Sequence, residues 1–371
     1  MSNNPITPPD YTNSILNVSN SLLKYYHVPN PHPTHKTVDT FLNTQYDHII
    51  YLLLDGLGTN IIKYHLNKSD TLYTYMQEEI TSVFPPTTVA ATNAVISGRA
   101  PIENGHLGWV QYFKKEDTNL VVFKNEDFYT GHKPSENLRD KYLRYDRLVD
   151  QIKAKNPHLT TREFMPNIVD PKGPKTFKEQ VERVLLHTHN HDQTFSYVYW
   201  VEPDLSQHEY GIDSDEIHTL LKELNEEVTS LINQLPQNSL LVGIADHGLT
   251  NVEPLPLYDN PELNNLLQRK TSIEPRATNF FVKPHKHDAF EKIFQSSFGD
   301  YYQLYTKEDL RKSHLLGNGK EHPMLESFLG DYLAIATSNK MFTLSDKKQH
   351  KAHHAGLTEA EMMVPLILYK K

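Results

Sequence analysis

A chain of 371 residues with 38% hydrophobic and 10% aromatic content carries enough apolar material for a large buried core, which excludes general disorder. It contains no cysteine, so disulfides, thiolate metal sites and cysteine nucleophiles are excluded, and any metal must bind through Asp, Glu, His or hydroxyl oxygens. The net charge of -9 argues against a nucleic-acid-binding surface, whereas an anionic small molecule would need local positive charge, of which metal ions are one source.

Met1 to Asp10 is polar and Pro-rich with no basic start or apolar stretch, so no secretory signal is read there, and cytoplasmic residence is the expectation. Tyr11 to Tyr26 spaces Ile15, Leu16, Val18, Leu22 and Leu23 as an amphipathic helix does, and Pro29 to Pro33 ends it. Ile49 to Leu54 is a continuous apolar run stopping at Asp55-Gly56, as expected of a strand buried on both faces of a parallel sheet. At six residues it is far short of the about 20 needed to cross a bilayer, and no membrane association is expected.

The stretch Phe84-Pro85-Pro86-Thr87-Thr88 reads as a turn followed by a helix from about Thr88, closed by Gly98. A hydroxyl there sits where unpaired amides and the helix dipole favour negative charge, although taken alone it reads as a plain helix cap. Further apolar runs follow at Phe195 to Val201, Leu240 to Ala245 and Val364 to Tyr369. The first two end in Glu202-Pro203-Asp204 and Asp246-His247, and Asp55 ends the run before them. Ligands of open α/β sheets bind beyond the carboxyl ends of the strands, so three strands delivering acids to one edge outline a site.

Asp204 and His208, four apart, share one face if their segment is helical, and His353-His354 precede Ala355-Gly356 and the last strand. Each pair is weak alone, since a salt bridge or a hydrogen-bonded core histidine explains it equally well; their co-occurrence points to metal binding. Between Glu253 and Gln349 the pattern changes, with a strand-like Thr278 to Val282, a helix-like His287 to Phe298 and a β-like Tyr301 to Tyr305. We therefore expect an α/β fold with a mostly parallel central sheet flanked by helices over 1–254 and 350–371, and a smaller α+β insertion or cap over 255–349. A second insertion is expected over about Tyr112 to Pro174, and His187, His189 and His191 are expected in an exposed loop.

The ordered motifs Asp55-Gly56, Phe84-Pro85-Pro86-Thr87-Thr88, Glu202-Pro203-Asp204 with His208, Ala245-Asp246-His247-Gly248 and His354-Ala355-Gly356 resemble the type I phosphodiesterase/nucleotide pyrophosphatase family of the alkaline phosphatase superfamily. The resemblance spans roughly Ile49 to Leu368. It implies an alkaline phosphatase-like fold, one metal held by Asp204, His208 and His354, and a second held by Asp55, Asp246, His247 and the oxygen of Thr88, the nucleophile. Zinc is the implied ion and manganese the alternative. Three Asp carboxylates and a Thr alkoxide total -4 and match two divalent cations. In-line attack by Thr88 on phosphorus, a phospho-threonine intermediate and its hydrolysis by water would follow.

The chain departs from the family pattern at two points. An ungapped match puts Trp109 where members often carry an Asn that donates to the phosphoryl oxygen, leaving the Trp109 indole, Asn104 and the Thr88 amide as alternatives for substrate binding; Ala355 replaces the usual Gly. No Arg stands in a motif suited to the extra charge of a monoester, and Arg99 reads as a surface residue. The preferred partner is therefore a small phosphodiester or pyrophosphate, with a nucleotide as one form, and phosphonate or phosphomonoester hydrolysis is the alternative. A sulfatase would need Cys or Ser at the position of Thr88. A non-enzymatic binding module is weakened by the presence of all seven ligand and nucleophile side chains. Oligomeric state is not legible.

Overall fold

The computed structural model describes residues 6–344 and 350–371. The first five residues of the polar start and residues 345–349 lie outside the described residues; the latter include most of the charged run Lys347 to Lys351, whose sequence reads as a solvated loop.

His48–Leu54 is buried at every position and pairs in parallel with Thr194–Trp200 on one side and Ser239–Ile244 on the other. A strand flanked on both sides whose two faces are also covered cannot alternate polar and apolar residues, which is why it reads as an unbroken apolar run. The six-stranded sheet runs Met76–Thr81, Met363–Lys370, Ser239–Ile244, His48–Leu54, Thr194–Trp200, Thr160–Phe164. Four neighbouring strands are parallel, and Met363–Lys370 is antiparallel to both of its neighbours. Met76–Thr81 escaped the sequence reading because, at the sheet edge, its Gln77, Glu78 and Glu79 are not fully buried.

Helices cover both faces. The leading helix, Ile15–Tyr25, buries the apolar stripe read from its periodicity. The longest, Asp215–Gln234, is capped by the Ser214 side chain accepting from the Ile217 amide and buries Ile217, Leu221, Leu224, Val228 and Leu231 at helical spacing. No described helix is long and apolar enough to cross a membrane.

A second sheet, antiparallel throughout, runs Tyr302–Thr306, Tyr332–Ala336, Ala277–Phe280, Ser272–Ile273, Val110–Phe113, Thr118–Val121, Glu126–Asp127. It draws strands from both stretches that change pattern in the sequence. The segment 112–174 is thus divided: its start joins this sheet, and Thr160–Phe164 becomes an edge of the central one. The two bodies are tied by a fully buried ion pair. The Arg276 guanidinium donates to both oxygens of Glu361 at 2.7 Å and to the Lys340 and Ser338 carbonyls.

The histidine cluster is corrected in part: His191 lies exposed beyond the helix, as expected, but the other two do not lie in a loop. His187 and His189 form the last turn of Phe177–His189, and His187 is buried against Phe164 rather than exposed in a loop. Its polar flanks hid an amphipathic helix whose buried face includes Val181, Val184 and Leu185.

Candidate active site

Asp55 directly follows the central strand His48–Leu54, and its amide donates to the Trp200 carbonyl of the neighbouring strand. Asp204 opens the short helix Asp204–Tyr210 and donates its amide to the Asp55 carbonyl, so the two strand ends are stitched together. Gln207 adds a bond to the Gly56 carbonyl. Asp246 and His247 follow Ser239–Ile244 on the other side. His354 arrives from the far end of the chain, positioned by the antiparallel pairing of Ala352–His353 with Thr250–Asn251.

Thr88 is the first residue of the helix Thr88–Ser97, which Gly98 ends in the left-handed conformation expected from sequence (φ 66°). The Thr88 hydroxyl is not spent on capping. Its Oγ1 donates to Asp55 Oδ1 at 3.5 Å and lies 3.2 Å from His247 Nε2. Helix-start amides carry no partner within the helix.

Seven side chains therefore converge. His247 Nε2 lies 3.5 Å from both Asp55 Oδ1 and Asp246 Oδ2, His208 Nε2 lies 3.5 Å from Asp204 Oδ2, and His354 Nε2 lies 3.8 Å from Asp204 Oδ1. His247 and His354 stack with ring centroids 3.9 Å apart. Two triads have ligand atoms within 4.8 Å of one another: Asp55, Asp246 and His247, and Asp204, His247 and His354. His247 thus stands between the two groups, and His208 completes the second through Asp204.

Asp55 and Asp204 are held well above the usual carboxylate range, first by burial and then by the neighbouring Asp246, to which Asp204 adds at Asp55, and Glu202 and Glu274 add at Asp204. The imidazoles move the other way: burial lowers His208 to about 3, and it lowers His247 and, further, His354. The ring nitrogens are already sorted. His208 Nδ1 donates to the Ala352 carbonyl at 2.7 Å and His247 Nδ1 lies 3.2 Å from the Gly248 carbonyl, which leaves each Nε2 lone pair facing the acids. Asp246 Oδ1 accepts from the Gly56 and His247 amides, yet Asp246 Oδ2 and Asp204 Oδ1 are buried without a hydrogen-bond partner. Buried acceptors left unpaired are costly, and oxygen and nitrogen donors arranged this way fit divalent cations.

Other residues behave differently from the sequence reading. Asn104 does not reach the ligands: its amide donates to Ser97 Oγ and the Arg99 carbonyl, at the end of the Thr88–Ser97 helix opposite Thr88. Trp109 does lie near the site, held by its backbone amide, while its ring meets Phe123 edge-on. Arg99 is exposed and pairs with Glu103, as read. Ala355 has φ 91°, a conformation that favours glycine, which gives the replaced family Gly its physical reason. A cavity of about 890 Å³, lined by Lys24, Tyr25, His27 and Asn156 among others, lies at the amino ends of the parallel strands, away from this chemistry.

Two residues the sequence did not single out belong to the site. The Tyr199 hydroxyl donates to Asp55 Oδ2, and the only sequence signal was a tyrosine near the carboxyl end of a buried strand. Glu274 is buried in the second sheet's connection, where Oε1 accepts from the Thr87 hydroxyl and the Trp109 amide, both at 2.7 Å. Burial raises it to about 7, against those two bonds.

The family model described as type I phosphodiesterase / nucleotide pyrophosphatase matches residues 49–358. Among curated proteins, bis(5'-adenosyl)-triphosphatase ENPP4 of Homo sapiens is 29% identical over 144 residues, covering 36% of this chain and 31% of that protein. The Bos taurus protein of the same name is 32% identical over 83 residues, 20% of this chain and 18% of that one. These matches span less than a third of the relatives' own length. Among solved structures, human ectonucleotide pyrophosphatase / phosphodiesterase 5 aligns with a TM-score of 0.64 at 16% identity over 87% of this chain and 88% of that one. The murine protein, inactive and in complex with AMP, aligns at 0.62 and 14% over 88% of both chains. At such identities the likeness is one of fold.

Proposed function

This chain belongs to the type I phosphodiesterase / nucleotide pyrophosphatase family, and from that premise we propose that it is a two-metal hydrolase of phosphodiester or pyrophosphate bonds with Thr88 as nucleophile. The observation that carries the reading is the pair of buried, unpartnered carboxylate oxygens, Asp204 Oδ1 and Asp246 Oδ2, in a cluster of acids and imidazoles that closes on the Thr88 hydroxyl.

Asp204, His208 and His354 would hold one divalent cation, and Asp55, Asp246, His247 and the Thr88 oxygen the other; zinc is the first choice and manganese the second. Bound there, the ions supply a lowered hydroxyl pKa and polarisation of the phosphoryl oxygen. The chain's own part is positional. Asp55 and His247 fix the direction of Thr88 Oγ, which attacks phosphorus in line as the ester bond to the leaving oxygen breaks. The amides at the start of the Thr88–Ser97 helix receive a non-bridging oxygen and its charge. Water then displaces Thr88 from the phospho-threonine, and the helix returns to its starting state.

The charge inventory supports a diester over a monoester. Arg276, the buried guanidinium nearest Glu274 in sequence, commits four of its five N–H donors to Glu361 and two carbonyls, so its charge is already balanced by Glu361 rather than held ready for a second phosphoryl charge. The AMP complex of the murine structural relative supports a nucleotide as one form of the substrate. With a nucleoside aryl diester, an aryl monophosphate and phosphonoacetate assayed side by side on zinc-loaded protein, the diester is expected to show the highest kcat/KM, by about tenfold or more. Preference for the monophosphate would contradict the choice.

A further inference from the structure

Glu274 is a carboxylate in an unusual place for a protein that must receive an anion. It is 3% exposed, and its Oε1 binds the hydroxyl of the residue immediately before the nucleophile. The same oxygen binds the backbone amide of Trp109, at the position where a phosphoryl-oxygen donor was expected from sequence. Oε2 accepts no hydrogen bond among the described residues, and it is not among the fully buried unpartnered atoms.

The backbone is built to present it. Ile273, directly before Glu274, has φ 75°, a left-handed conformation that costs a β-branched residue free energy and persists only where surrounding structure enforces it. Gly108 packs so closely that a Cβ there would sit 2.8 Å from Ile273 Cγ2 and 3.2 Å from Glu274 Cγ. A strained strand end and a glycine without room for a side chain both serve to bring this carboxylate against Thr87 and Trp109.

The charge has a consequence for selectivity. Asp55, Asp204, Asp246 and an ionised Thr88 already balance two divalent cations, so Glu274 makes the loaded site net negative beside the reacting phosphorus. Glu274 is also close enough to Asp204 to act on that carboxyl by charge alone. The geometry points to Glu274 as a specificity-determining residue that discriminates against doubly charged phosphoryl groups, so that monoesters and orthophosphate are held less well than singly charged diesters. This inference rests on the diesterase reading and adds to it the residue that enforces the preference: repulsion scales with ligand charge, so a dianion pays twice what a monoanion does.

Glu274→Gln tests it cleanly, because the amide oxygen accepts the same two bonds while the charge is removed. Zinc-loaded wild type and variant are titrated calorimetrically at pH 8 with orthophosphate and with dimethyl phosphate. The variant is expected to tighten orthophosphate about tenfold more than it tightens dimethyl phosphate, and to raise the monoester-to-diester ratio of kcat/KM by a similar factor. Equal shifts for the two anions, or no shift, overturn the inference. Glu274→Met, neutral and of similar length, gives the same differential if charge is the cause and replaces the first variant should that fail to fold. If the differential appears but wild type cleaves no diester, the diesterase reading alone fails; if diester is cleaved but the anions shift together, this inference alone fails.

Discussion

Replacing Thr88 by Ala is expected to lower kcat for diester hydrolysis on the order of 10⁴-fold or more, the scale at which loss of a covalent nucleophile is felt. The reason is local. Thr88 Oγ1 is the hydroxyl that the cluster closes on, and its side-chain partners among the described residues are Asp55 at 3.5 Å and His247 at 3.2 Å. Neither bond is short enough to be a major source of stability, and the residue at the N-cap position is Thr87, so the variant is expected to fold and to keep both ions on the remaining Asp and His ligands, the ion that shares the Thr88 oxygen being bound less tightly. Metal content measured alongside turnover separates the two roles. A variant that loses both ions even at saturating zinc, along with activity, would make Thr88 mainly structural, and one that retains activity within tenfold would remove it as the nucleophile.

Removing the metals is expected to lower the melting temperature on the order of 10 °C, with the difference larger at pH 8 than at pH 5.5. Each ion at a thousandfold excess over its Kd contributes about 4 kcal/mol, and for a chain of this size two such terms correspond to roughly that shift. The pH dependence follows from the direction of the carboxyl shifts. Asp55 and Asp204 are raised, so their contribution to the metal-free fold is present below the unfolded carboxylate pKa and lost as pH rises through the folded value. At pH 8 the metal-free protein therefore carries the full cost of crowded buried carboxylates, and cations relieve it. At pH 5.5 protons compete for the same oxygens. The histidines do not reverse this, because His208 is lowered to about 3 and stays neutral at both pH values in the folded state. Thermal melts of chelated and zinc-loaded protein at the two pH values check the sign; a larger difference at the lower pH would contradict it.

How much of this was legible in the sequence depends on which physical signal each element leaves. The runs at His48–Leu54, Thr194–Trp200 and Ser239–Ile244 are buried at every position and end in Asp55, Glu202 to Asp204 and Asp246, so both the sheet and the acids at its edge could be read directly. Thr88 and Gly98 marked the ends of their helix through cap chemistry. Met76–Thr81 was not legible, because a half-covered edge strand reads as polar sequence. Nor was the composition of the second sheet: pairing of Ser272–Ile273 with Val110–Phe113 joins segments some 160 residues apart, and no local pattern records that. Glu274 is invisible for the same reason, since its meaning lies in touching Thr87 and Trp109 across the fold. Asn104 is one of three alternatives for substrate binding that the sequence leaves open, and its amide instead satisfies its own loop.

The account stands or falls on whether Thr88 itself attacks phosphorus, and stereochemistry at phosphorus answers this directly. A chiral phosphorothioate diester hydrolysed by the zinc-loaded protein in isotopically labelled water should give a product with net retention, because two successive in-line displacements, by Thr88 and then by water, each invert the centre. Net inversion would mean a single attack by water, with Thr88 a bystander to the reaction.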